Sequence, residues 1–165
     1  GFKADGTMAA ADLYIISDNG GKGGGGDAYS AADCISILYQ TEAVRFRGTS
    51  IGSNTGHRGA QRGPGQNQIA AIIAPILDKA AEELGIDRLK IRQINTPQNG
   101  DVGGARQIPF TSAYMPEALK MGAEQFNLEE RMARSRKRNG TKVTGIGIGQ
   151  GYHNAGRSGF FECAP

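Results

Sequence analysis

Residues 53–85 read SNTGHRGAQRGPGQNQIAAIIAPILDKAAEELG, a glycine-rich run that passes directly into an apolar helical pattern. Residues 53–68 hold four glycines, one proline, two arginines and one histidine, a loose run leading into an expected helix. Beyond them the pattern changes. Ile69, Ile72, Ile73, Ile76, Leu77, Ala80, Ala81 and Leu84 fall on one helical face, and Gly85 is a natural C-terminal stop. Pro75 sits inside this pattern, so the helix kinks there or a new one starts with proline in its first turn.

Upstream, GFKADGTMAAADLYIISD (residues 1–18) reads as a hairpin turning at Asp5-Gly6, with Leu13 and Ile15 on its second strand. NGGKGGGG (residues 19–26) is a loop. AADCISILYQ (residues 31–40) is apolar and fits a helix or a strand equally. In the next stretch Val44 and Phe46 alternate with Arg45 and Arg47, the mark of a half-exposed strand. Downstream, IDRLKIRQIN (residues 86–95) is a short helix or turn, and residues 96–109 are loop-like. A helix is expected from Ala113 to Phe126 with Ser112 as its N-cap, then a break at Asn127 and further helix through LEERMARSRKR. Asn139-Gly140 is a tight turn, and KVTGIGIGQGYH follows as a strand with glycine at 145, 147 and 149, where a ligand or another backbone can come close. The fold class is α+β with no evident domain boundary: strand-rich over 1–55, a loop at 56–66, helical over 67–138 and a strand over 142–150.

At 165 residues the chain is long enough for one domain with a modest core. Its net charge of +3 is too small to argue for nucleic acid, and the absence of Trp weakens any base-stacking role. Glycine, at 26 residues, is abundant but not periodic, which excludes collagen and simple repeats. Cys34 and Cys163 are far apart and form no CxxC pair. No apolar run is long enough to span a bilayer.

Three stretches carry candidate chemistry. In residues 53–68, backbone N–H groups beside a helix start make an anion site, with Arg58 and Arg62 as bidentate donors; the bland reading is a surface loop. RMARSRKR (residues 131–138) is a nucleic-acid patch or, in the bland reading, the solvated end of a helix. GIGIGQG (residues 145–151) is a close approach to a ligand or a tightly packed strand. His57 and His153 have no zinc-ligand spacing with either cysteine, so no metal is expected on protein side chains.

The order of these features resembles the molybdenum-binding subunit of the xanthine dehydrogenase / aldehyde oxidase (molybdenum hydroxylase) family. Residues 1–20 are similar to its pattern VGxxxDGxIxAxxxxxxxDxG. His57-Arg58-Gly59-Ala60 resembles its [FYC]-R-G-[FA] motif, and residues 77–95 resemble xDxxAxxLGxDPxExRxxN. PFTSAYMPEAL and TGIGIGQGYH are similar to a later helix and strand, so the resemblance covers nearly the whole chain.

The resemblance implies oxidative hydroxylation of an aldehyde or an aromatic or heterocyclic substrate, with water as the oxygen source. It implies a molybdenum–pyranopterin cofactor, as molybdopterin or its cytosine dinucleotide, and iron–sulfur and FAD groups on partner subunits or domains. Arg58, Gly59 and Ala60 would border the cofactor, and His57, Gln61 and Arg62 the substrate pocket. His57 and Ala60 stand where xanthine-oxidising members carry aromatic residues, which implies a substrate other than a doubly stacked purine. The run GAQRGPGQNQ is longer than the family's GxGxPQ. The family's catalytic glutamate lies downstream of this stretch, and its upstream glycine-rich cofactor loop is absent here. The expectation is therefore an internal segment that is not competent without the remainder of its subunit. The alternative is a non-catalytic glycine-rich domain that binds anions or nucleic acid through residues 58–62 and 131–138, its binding lost when Arg134, Arg136, Lys137 and Arg138 become Ala.

Overall fold

The computed structural model describes residues 1–22, 27–59, 61–104, 107–135 and 137–152. Ala60, Arg136, His153 and Cys163 lie outside the described residues. A strand–helix–strand unit comes first: β1 (Ala10–Asp18), α1 (Asp27–Leu38) and β2 (Ala43–Ile51). β1 and β2 pair in parallel, from Ala10 against Ala43 to Asp18 against Ile51. The hairpin expected over residues 1–18 is confined to its start, where Phe2 bridges Met8 around Asp5-Gly6. The parallel pairing needs a long crossover, which α1 supplies.

The ambiguous apolar stretch is thus a helix. Ala28, Ala31, Ile35 and Leu38 are buried at helical spacing, and α1 packs on α2 (Gln66–Leu84). In α2 the buried stripe is Ile69, Ile73, Leu77 and Ala81, whereas Ile72 and Ile76 of the same apolar face stay exposed. Pro75 lies within one continuous helix, with no N–H to offer the Ala71 carbonyl. Gly85 takes the left-handed conformation (φ 67°) that ends it. Leu13 and Ile15 turn from β1 toward this core, while Asp12, Tyr14 and Ile16 face outward. On the outer face Asp12 pairs with Arg45 and, at 3.5 Å, with Arg47.

α3 (Arg88–Asn95) closes the core. Asp87 caps it by accepting from the N–H groups of Leu89 and Lys90 at 2.8 and 3.0 Å. Its Arg92 side chain is fully buried, 2.7 Å from the Asp78 carboxylate, and also donates to the carbonyls of Arg88 and Ala74. Asn95 ties the chain start to the helices: it accepts from Met8 N–H at 2.7 Å and donates to Gly6 O and Ile91 O at 2.8 Å each.

Residues 96–109, expected as loop, include the paired strands β3 (Val102–Gly103) and β4 (Ile108–Pro109). The next helix, α4 (Met115–Gln125), begins after Tyr114 rather than at Ser112. Pro116 in its first turn explains the start, since proline is pre-set for that position. Asn127 breaks the helical run with φ 49°, and α5 (Leu128–Arg134) follows. β5 (Arg138–Asn139) and β6 (Lys142–Val143) form a hairpin across Gly140. The strand expected over 142–150 stops at Val143. Beyond it, a Cβ at Gly145, Gly147 or Gly149 would meet nothing within 4 Å, so the described chain itself supplies no close approach there.

Candidate functional site

The parallel register brings the ends of β1 and β2 side by side, and both glycine-rich connections leave from this edge. The crevice outside the carboxyl ends of parallel strands is where such sheets usually place ligands. Here residues 18–20 hold the start of the loop that carries Arg58. Asn19 N–H donates to Ile51 O at 2.9 Å, Ser53 N–H to Gly20 O at 3.3 Å and Arg58 N–H to Asn19 O at 3.5 Å.

The Asp18 carboxylate fills the gap between these strands of chain. Its Oδ1 accepts from Ser53 Oγ at 2.6 Å and from Gly20 N–H at 3.0 Å; its Oδ2 accepts from Thr55 Oγ1 at 3.1 Å. The Ser53 hydrogen bond foremost, then the Gly20 and Thr55 bonds and the Arg58 charge, hold the carboxyl below its usual range. Gly20 has φ 68°, and a Cβ there would lie 2.3 Å from Gly56 O, so the two backbones touch at a point that admits only glycine.

Past Gly59 the chain turns into α2 through Gly63 (φ 69°) and Gly65 (φ 77°). Asn67 Nδ2 donates to Arg62 O at 3.0 Å, which fixes the turn on the first turn of the helix. Arg58, Gly59, Gln61, Arg62, Asn67 and Gln68 line an open cleft of about 840 Å3 with Gly63 and Pro64. Among the described residues its lining includes two arginines and three amide side chains and no Asp or Glu. Such a donor set suits an anion that accepts hydrogen bonds, a phosphate above all. Positions 56 and 59 are open as well: a Cβ at either would meet nothing within 4 Å among the described residues, so a ligand can approach the backbone.

The structure therefore brings Arg58, Gly59, Gln61 and Arg62 to one cleft. His57 is exposed beside it but does not line it. Ala60 lies outside the described residues. Among the described residues no group of three or more His, Cys, Asp or Glu is placed to hold a metal ion. The basic run is divided: Arg131 stacks on the Phe126 ring at 4.4 Å and Arg134 pairs with Glu130. Asp18 and Gly20 are the Asp-x-Gly that ends the pattern residues 1–20 resemble, whereas Ser53, Thr55 and Asn67 are not among the expected site residues. The available signal is an Asp-x-Gly at a strand end facing a Ser-x-Thr in a loop, which needs the parallel register to be read.

Residues 1–96, which contain both parallel strands, the loop and the cleft, match the family model of the molybdopterin cofactor-binding domain. The chain is 30% identical over 150 residues to the putative xanthine dehydrogenase molybdenum-binding subunit XdhA of Escherichia coli (strain K12), covering 90% of this chain and 20% of that protein. It thus spans about a fifth of the length of the first curated relatives it matches. Among solved structures, the aldehyde oxidoreductase from Desulfovibrio gigas superposes with a TM-score of 0.71 at 23% identity, over 82% of this chain and 15% of that one. Quinoline 2-oxidoreductase from Pseudomonas putida 86 superposes with a TM-score of 0.67 at 22% identity, over 81% and 18%. These structural likenesses show a shared fold. The matches do not favour a free-standing module that binds anions or nucleic acid. The chain belongs to the molybdopterin cofactor-binding domain family.

Proposed function

We propose that the chain is a segment of the molybdenum-binding subunit of a molybdenum hydroxylase, and that its loop at 56–66 is one wall of the cofactor pocket. The enzyme oxidatively hydroxylates an aldehyde or an aromatic or heterocyclic substrate with water as the oxygen source. The carrying observation is the cleft at the start of α2, lined among the described residues by two arginines and three amides and fixed to the ends of two parallel strands. When bound, the molybdenum–pyranopterin supplies the two-electron redox chemistry. This chain supplies position and charge. Arg58, with the backbone N–H of Gly59, holds the anionic cofactor, and His57, Gln61 and Arg62 shape the substrate side.

The names of the relatives, which include aldehyde and quinoline oxidoreductases, support this substrate range. Alanine at 60, and histidine rather than a larger Phe, Tyr or Trp ring at 57, argue against a purine held between two large rings. The catalytic glutamate base comes from the remainder of the subunit, and electrons leave through iron–sulfur and FAD groups on partner subunits or domains. The test is the molybdenum content of the full-length subunit carrying Arg58→Ala or Gly59→Ala. Each should retain about tenfold less molybdenum than wild type, since the first removes a charged hydrogen-bond donor and the second fills the space for the cofactor. A Cβ at position 59 touches nothing within 4 Å in the described chain, so an internal clash does not explain a loss. Wild-type content in both variants would sink the proposal.

A further inference from the structure

We infer that Asp18 is a positioning residue for the Arg58-Gly59 stretch, acting through Ser53 and Thr55 rather than by touching the cofactor. The inference rests on the reading of that loop as a cofactor wall. Asp18 is the last residue of β1, whereas Arg58 stands forty positions later. The loop between Gly52 and Arg58 has no regular hydrogen bonding of its own. Such a segment holds one course only if something outside it fixes it. The Asp18 carboxylate takes Ser53 Oγ and Thr55 Oγ1 on separate oxygens, at 2.6 and 3.1 Å, and anchors its own turn through Gly20 N–H. Thr55 N–H also donates to Ser53 Oγ at 3.2 Å, which closes the cluster. Ser53, Thr55 and the 18–20 turn therefore move as one body, and Arg58 leaves from it with its N–H on Asn19 O.

The clamp works by hydrogen-bond geometry, and this sets it apart from a purely electrostatic role for Asp18. An amide of the same shape can still accept from Gly20 N–H and Ser53 Oγ with its oxygen, and its nitrogen can donate to Thr55 Oγ1. Asp18→Asn should therefore keep the loop in place, and Asp18→Ala should release it.

The experiment uses the full-length subunit with its partners. Asp18→Ala, Asp18→Asn, Arg58→Ala and the double variant Asp18→Ala/Arg58→Ala are compared by molybdenum content, by the molybdenum electron paramagnetic resonance signal, and by melting of cofactor-free protein. Asp18→Ala should lower molybdenum content about tenfold, and Asp18→Asn should restore it to within about twofold of wild type. The double variant should lose no more than Arg58→Ala alone, because both act on one contact. Full content in Asp18→Ala, alongside a loss in Arg58→Ala, overturns the clamp and leaves the cofactor wall standing. Full content in Arg58→Ala, together with full content in Gly59→Ala, overturns the wall itself. A loss in Asp18→Ala that Asp18→Asn does not rescue, matched by a lower melting temperature without cofactor, assigns Asp18 to fold stability and overturns the inference.

Discussion

An alanine at position 20 would carry its Cβ to 2.3 Å from the Gly56 carbonyl oxygen, 2.9 Å from its carbon and 3.0 Å from Thr55 O. This is about 1 Å short of an ordinary non-bonded separation. Either Gly56 retreats by that amount, or residue 20 leaves its left-handed φ of 68°, where an L side chain costs roughly 1–2 kcal/mol in any case. The first route displaces the backbone two residues before Arg58, and the second displaces the 18–20 turn whose Asn19 carbonyl accepts from Arg58 N–H. A shift of about 1 Å in a group that works by position costs up to about a hundredfold in rate. The assay is kcat/KM per molybdenum in the full-length enzyme with an aldehyde or heteroaromatic substrate, beside molybdenum content. Gly20→Ala should lose about a hundredfold in kcat/KM or shed most of its cofactor. Gly21→Ala is the control, since its Cβ would come no nearer than 3.8 Å to any described neighbour, at Ser53 O. Indistinguishable behaviour of the two variants would refute the claim that the contact between residues 20 and 56 sets the position of Arg58.

Two further outcomes concern the core. Asp78→Ala strands the buried Arg92 guanidinium, whose partner Asp78 is 26% exposed, and should cost about 3 kcal/mol, the low end for breaking a buried pair. Hydrogen exchange of peptides covering α2 and α3 should quicken by about a hundredfold, and a change below about threefold would contradict the pairing. Burial, and then the Asp33 charge, push the Cys34 thiol from 9.0 up to about 12. A folded-state value above the unfolded one means that this contribution to stability is complete below about pH 9 and is lost as pH climbs toward 12. At pH 9, iodoacetamide should label Cys34 at least about a hundredfold more slowly in the native subunit than in guanidinium, and comparable rates would show the thiol to be open.

Which features are legible in the sequence follows from the range of the interaction behind each. α2 and its stop at Gly85 are local matters of period and left-handed glycine, and they read directly. The break at Asn127 is equally local. α1 is not legible in the same way, because its apolar residues suit either period until α2 is there to bury Ala31, Cys34 and Ile35. The parallel pairing of β1 with β2 has no local signal, so residues 1–18 read as a complete hairpin. Arg92 and Asp78 both stand in the pattern that residues 77–95 resemble, but nothing local in it pairs them, and only the carboxylate of Asp78 one helix away makes the burial of Arg92 tolerable. At the site, Arg58, Gly59, Gln61 and Arg62 are contiguous and legible as a donor run. Asp18, Ser53 and Thr55 meet only through the strand register. The alternating glycines at 145, 147 and 149 suggest a packed strand, yet a strand needs a neighbour to pair with, and none lies beside them among the described residues.

The ion pairs on the outer face of the sheet bear on self-association. β2 spans nine residues and includes Val44, Phe46 and Ile51, the composition of a strand that templates aggregation when its edge is open. If two copies of β2 met in parallel register, Arg45 would face Arg45 and Arg47 would face Arg47, a repulsive ladder. Docked on β1, both arginines reach Asp12 instead. The same charges thus reject a second copy of the strand and accept its partner within the chain. This gives a nascent polypeptide a gatekeeper before its core has formed.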